Sequence, residues 1–182
     1  MDVDCFKPKV FVVRLEGDNP KLSTALKLVR LGYATRISPH DIPKNSIVLN
    51  PLSTKVLTPQ DRGLICRYGL VVIDTSWNTG IELIKKVGDS VKAQHRVLPA
   101  LKAGNPINYG VLTKLSSVEA VAAALYITGL RNYALELLNK FKWGPTFINL
   151  NLEYLERYSQ ARNEDEVLKI QEEILNKHLR VE

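Results

Sequence analysis

Short unbroken apolar runs alternate with amphipathic stretches through the first half of the chain, and the rhythm becomes helical in the second. VFVVRL (10–15), SIVLN (46–50) and GLVVID (69–74) are apolar throughout and rich in β-branched side chains. That is the pattern of parallel strands covered on both faces, whereas a strand with one face in water alternates. ATRIS (34–38) adds a shorter extended piece and HRVLPAL (95–101) a last one. After the first strand, EGDNPKLSTALKLVRL turns at Gly17 to Pro20 and predicts a helix beginning near Ser23 or Thr24; Pro59 opens another over 60–67, and 79–88 forms a third. From Ser116 the period is helical. SSVEAVAAALYITGL has a serine cap at 116 or 117, Glu119 placed for a capping box, and Gly129 near its end. Apolar residues then recur at spacings of three and four over 132–141, 150–160 and 163–179. The expected fold class is α/β, with a parallel-sheet half over 1–92 and an all-helical half over 93–182.

Composition narrows the class. A chain of 182 residues is long enough for one sizeable core or two small units. With 45% hydrophobic and 24% charged residues it is not a disordered sequence, and no apolar run approaches the roughly 18 residues of a membrane span. The start, MDVDCFKPK, has acids and no apolar core, so a secretory signal is not expected and the assignment is cytoplasmic, without a membrane partner. Cys5 and Cys66 have no Cys-x-x-Cys spacing and no neighbouring ligand, so two reduced thiols are expected, one terminal and one buried. The net charge of +6 is unevenly distributed: residues 151–182 hold eight acids against five bases, a balance of −3, which leaves +9 on residues 1–150. A basic body with an acidic helical tail suits a polyanionic partner.

Several chemistries are excluded. No two glycines stand one residue apart, so there is no Gly-x-Gly-x-x-Gly loop, and no glycine precedes a lysine, so there is no phosphate-binding Walker loop. His40, His95 and His178 lie in unrelated contexts without metal-ligand spacing, and no metal is expected. No serine sits in a Gly-x-Ser-x-Gly elbow. What remains are the loops at the carboxyl ends of the strands: EGDNPKLST, LNPLS and DTSWNTG. Open parallel sheets bind ligands at that edge. These loops offer main-chain donors and hydroxyls but little ionisable chemistry. Trp77, an indole among small polar residues, is suited to stack on a purine or a sulfonium, or to cap the sheet edge. Asp74 is either a base or ribose acceptor, or a plain strand-end cap.

AGNPINYG (103–110) holds no acid, base, nucleophile or metal ligand. Gly104, Pro106 and Gly110 bend it, Asn105 and Asn108 are able to bond their own backbone, and the loop presents main-chain groups ahead of the long helix. Thirteen residues from Leu98 to Gly110 are long for a plain connector.

DNPKLSTALKLVR (18–30), VVIDTSW (71–77), HRVLPALKAGNPINYGVLTKLSSVEAVAAALYITG (95–129) and LLNKFKWGPTFINLNLEYLERY (137–158) together resemble the small-subunit ribosomal RNA aminocarboxypropyltransferases, in the right order over nearly the whole chain. The resemblance implies a SPOUT-like, trefoil-knotted fold and transfer of the 3-amino-3-carboxypropyl group of S-adenosylmethionine to ring nitrogen 3 of N1-methylpseudouridine. The implied partner is small-subunit rRNA or the pre-ribosomal small subunit, met by a monomer. Carried over by motif, Ser23 and Thr24 meet the amino-acid end of the cofactor through backbone amides. Leu49 and Pro51 line the adenine pocket, and Ile73 offers its carbonyl to the ribose. Trp77 packs along the transferred chain and methyl, Leu98 covers the base, and Thr113 closes the pocket, so that the first loop and helix of the second half complete the site. The chain departs from the family in having Asp-Thr-Ser-Trp where Asp-Cys-Ser-Trp is common, and Leu-Ser-Thr where Cys-Ser or Cys-Thr is usual.

This chemistry suits loops without strong acids or bases, because a sulfonium is already an activated leaving group and needs an aligned nucleophile. The uridine imide must lose a proton, for which Asp74 is the nearest base, unless Lys or Arg stabilises the imidate. A SPOUT-like RNA methyltransferase and a non-catalytic rRNA-binding assembly factor are the competing readings.

Overall fold

The computed structural model describes residues 5–15, 19–76, 80–90 and 92–180. They form two compact units, one of Met1–Lys55 with Asp61–Val97 and one of Val56–Gln60 with Leu98–Glu182. In the first unit five parallel strands, β1 (Val10–Arg14), β2 (Thr35–Ile37), β3 (Ile47–Leu49), β4 (Leu70–Asp74) and β5 (Gln94–Arg96), pair in the order β2-β1-β4-β3-β5. The three continuously apolar runs are the inner strands β1, β3 and β4, as the pattern predicts. They can be apolar throughout because helices supply burial on either face.

Val13, Val48 and Val71 form a core with Ile42 and with Val87 of α3 (Gly80–Ser90). The alternate strand residues point the other way, where Ala25 and Leu28 of α1 (Thr24–Arg30) are fully buried. The helix α2 (Arg62–Tyr68) packs beside β3, and Arg96 of β5 meets Asp61 at its start through a buried ion pair, Nη2 to Oδ1 at 3.1 Å. Cys5 and Cys66 are joined by a disulfide with Cα atoms 5.7 Å apart, which corrects the expectation of reduced thiols. They lie 61 residues apart, and sequence spacing carries no hint of the pairing. Parallel pairing of β1 with β4 is what lays the start of the chain beside the end of α2.

The second unit is built on α4 (Ser117–Ile127), which is apolar all round and packs against α5 (Arg131–Leu138) and α6 (Gly144–Gln160); α7 (Glu164–Leu179) lies against α6. The capping box of Ser116 and Glu119 forms as expected. Helix α6 starts six residues earlier than the apolar spacing suggests, because Pro145 sits in the first turn, where a missing N–H removes no hydrogen bond. The expected extended segment 95–101 is regular strand only to Arg96. Pro99 has no N–H for a ladder; beyond it Ala100 and Lys102 bond to helix side chains, while Leu101 and Ala103 bond back to residues 111–113. Among the described residues no helix is long and apolar enough to cross a membrane.

Candidate cofactor edge and substrate loop

At the carboxyl edge of the first unit, the chain leaves β1 through α1 toward β2, and leaves β4 through α3 toward β5. The two connections diverge, which opens the crevice in which such sheets bind ligands. Arg14 and Asp74 are a register pair there, and Arg14 Nη1 lies 2.7 Å from Asp74 Oδ2 with both side chains largely buried. Ser23 Oγ donates to the same Oδ2 at 2.7 Å and accepts from Leu26 N–H at 3.1 Å, so one hydroxyl caps α1 and ties it to β4. The Ser23 amide closes a 3-10 turn on the Pro20 carbonyl at 3.3 Å, and Thr24 is the first residue of α1.

Leu49 is buried at the end of β3, while Pro51 and Leu52 just beyond it face solvent. Asn50 sets that loop. Its amide N–H donates to Arg96 O at 2.8 Å, its Oδ1 accepts from Leu52 N–H at 2.8 Å, and its Nδ2 lies 3.2 Å from His95 Nδ1. Nδ2 is a donor, so His95 Nδ1 accepts and the neutral ring carries its hydrogen on Nε2. That Nε2 is buried, with no hydrogen-bond partner among the described residues. Burial first, and the adjacent Arg96 charge second, hold the His95 pKa below the ordinary histidine value. Ile73 is one position past the last β3–β4 pair, Leu49↔Val72. An apolar pair at the strand edge and an orphaned buried nitrogen fit a nucleoside. Trp77 lies outside the described residues.

In the second unit Leu98 is half-buried and begins a segment that the helices hold as if it were a strand. Gln171 Oε1 accepts from Ala100 N–H at 2.9 Å, and Tyr158 Oη donates to Ala100 O at 3.0 Å; burial raises the Tyr158 pKa. Asn151, fully buried, accepts from Lys102 N–H at 2.7 Å and donates to Lys102 O at 2.8 Å. Asn151 and Tyr158 are seven residues apart and so share one face of α6.

The loop AGNPINYG is closed by Ala103 N–H to Val111 O at 2.9 Å and Gly110 N–H to Ala103 O at 2.7 Å. Buried Glu119 holds its base with one carboxylate. Oε1 accepts from the amides of Gly104 (2.6 Å) and Asn105 (3.0 Å), and Oε2 from Asn105 Nδ2 (2.8 Å), the Ser116 amide (2.7 Å) and Ser116 Oγ (2.9 Å). A Cβ on Gly104 would lie 2.6 Å from Phe147 N, so only glycine lets the loop reach α6. Past the loop, Thr113 is exposed and takes the left-handed φ of +66°, with its N–H bonded to Leu101 O at 2.9 Å. A threonine there is strained, and such positions gather at ligand sites.

Sequence reasoning thus placed Ser23, Thr24, Leu49, Pro51 and Ile73 at one edge of the first unit and Leu98 and Thr113 on one braced segment of the second. It missed Arg14, Asn50, His95 and the reach of Glu119. Arg14 ends an apolar strand and is the one visible signal among these, since a lone cation closing such a run needs a partner.

The family model for the ribosome biogenesis protein, C-terminal, matches residues 47–175. The 16S rRNA aminocarboxypropyltransferase of Methanocaldococcus jannaschii is 43% identical over 171 residues, covering 93% of this chain and 98% of that protein. The protein of the same name from Vulcanisaeta distributa is 46% identical over 153 residues, covering 84% and 82%. The structure of the SAM-dependent rRNA:acp-transferase Tsr3 from Vulcanisaeta distributa matches with a TM-score of 0.80 at 38% identity, covering 93% of this chain and 99% of that one.

Proposed function

Because the chain belongs to the 16S rRNA aminocarboxypropyltransferase family, we propose that it transfers the 3-amino-3-carboxypropyl group of S-adenosylmethionine to ring nitrogen 3 of N1-methylpseudouridine in small-subunit rRNA. The observation that carries this reading is the carboxyl edge of the sheet, where the described residues offer backbone, apolar surface and one ion pair. Bound there, S-adenosylmethionine would supply an activated carbon: ring nitrogen 3, its proton lost to solvent, would bond to the chain carbon next to sulfur as the carbon–sulfur bond breaks and its electron pair leaves on the thioether. The protein's own task is to choose which carbon faces the base.

In this reading Ser23, Thr24, Leu49, Pro51, Ile73, Trp77, Leu98 and Thr113 contact the cofactor. Asp74 positions: its Oδ2 already accepts from Arg14 and Ser23, so it sets the start of α1 rather than taking the imide proton. A monomer and the SPOUT-like knotted topology belong to the same proposal, supported by the family and by the all-parallel strand order. Incubating the protein with carboxyl-labelled S-adenosylmethionine and small-subunit rRNA from a strain lacking it should place the label in RNA. Transfer of methyl label alone would make the protein a methyltransferase, and absence of any cofactor binding would make it an assembly factor.

A further inference from the structure

The loop from Ala103 to Val111 is rigid at its base and apolar at its tip. Glu119 and the Ala103–Val111 and Gly110–Ala103 bonds fix the base, and Asn105 Oδ1 accepts from Asn108 N–H at 3.0 Å within it. Yet Ile107 is 80% exposed, Tyr109 62% and Val111 42%. A loop that bends only to connect two elements has no reason to hold an aromatic and a β-branched side chain out in water, and ordering exposed apolar groups brings no stability of its own. Lys102 and Lys114 stand on its two arms, and no acid occurs between residues 97 and 118. A tip of this charge meets a polyanion without repulsion.

We propose that the tip is the RNA-reading element of the enzyme: Tyr109 stacks on an unpaired base of the small-subunit rRNA and Ile107 wedges against the neighbouring base, while Lys102 and Lys114 face phosphates. The proposal rests on the rRNA transferase reading, because it takes its demand from that reaction. Ring nitrogen 3 of a uridine lies on the pairing edge, so the target base must be out of the duplex when it reacts. An enzyme with that requirement needs a feature that holds a strand open, and a stacking ring beside an apolar wedge is the usual chemistry for it. The stiffness of the base follows from the same need, since a mobile loop would lose the stacking energy in ordering itself. The loop also runs directly into Thr113, which the family motif assigns to the cofactor pocket.

The test uses the full-length protein and in vitro transcribed small-subunit rRNA in which 5-iodouridine replaces uridine. Photocrosslinking followed by mass spectrometry should mark Tyr109, and filter binding should show an increase in RNA Kd of about tenfold in Tyr109→Ala, the range a lost base stack gives. Tyr109→Phe should restore binding, because the ring and not the hydroxyl stacks, and S-adenosylmethionine Kd should be unchanged in both variants. Unchanged RNA Kd in Tyr109→Ala, or crosslinks confined to other segments, overturns the proposal. So does a defect that appears only with protein-containing small subunits and not with bare RNA, which would assign the tip to a ribosomal protein. The underlying reading fails separately, if the wild-type protein transfers no carboxyl label to rRNA.

Discussion

Glu119 and Asp74, one in each unit, hold loops by different means. Glu119 is fully buried and accepts from five neutral donors, three on the loop it holds and two on Ser116 at its own helix cap. Asp74 keeps part of its side chain exposed and meets a cation, Arg14, together with the Ser23 hydroxyl. Neutral donors in a dry site define a shape, because each is an orphan if the carboxylate is lost. A largely buried ion pair at the sheet edge instead balances charge against charge, and its desolvation offsets much of what the attraction contributes. The contrast divides labour between the units: a stiff platform in the second, a charge-paired edge in the first.

The largest effect is expected at Glu119. Glu119→Ala leaves five donors without their acceptor and should lower stability by about 4 kcal/mol in urea unfolding. Glu119→Gln, which restores shape but turns a donor toward donors, should fall between wild type and alanine; a neutral Glu119→Ala would remove the distinction between the two acids. Asp74→Asn should cost less, about 2 kcal/mol, because the asparagine oxygen can still accept from Arg14 or Ser23. It should also raise the S-adenosylmethionine Kd while leaving the shape of the pH–rate profile unchanged. Loss of the acidic limb would instead make Asp74 the base.

The smallest effect is the pH response of His95, also in the first unit. Its folded pKa is lowered, so the folded state favours the neutral ring. Its contribution to stability is therefore complete above the ordinary histidine value of about 6.5 and is lost as pH falls through the lowered folded value. Protonated Nδ1 no longer accepts from Asn50, so the loop after β3 and cofactor affinity should weaken together on acidification. Thermal melts with and without S-adenosylmethionine between pH 7 and pH 5 read both, and His95→Gln should flatten them.

The parts of the site legible in the sequence are those carried by local pattern. The N-cap role of Ser23, the capping box at Ser116 and Glu119, and the strand-end loops all follow from residues within a few positions of one another. The parts that were not legible depend on residues far apart. Arg14 meets Asp74 across 60 residues, Asn50 meets His95 across 45, and Asn151 clamps Lys102 across 49. AGNPINYG falls between these cases: its Asn105 and glycines announce a shaped loop, but the acid that shapes it is the capping-box glutamate turned back from α4.

What the sequence determined by itself is the element order, the parallel character of the sheet and the class of chemistry. Continuous apolar runs, helical periods and four family motifs are local or linear properties, and one chain displays them in full. The tertiary structure alone decided the strand order, the disulfide of Cys5 with Cys66, the pairing of Asp74 with Arg14, and which residues of the loop at 103–111 face inward and which outward. Those outcomes depend on which distant groups packing brings within a few ångströms, and the free energy of a buried charge or an exposed ring belongs to its neighbours in space.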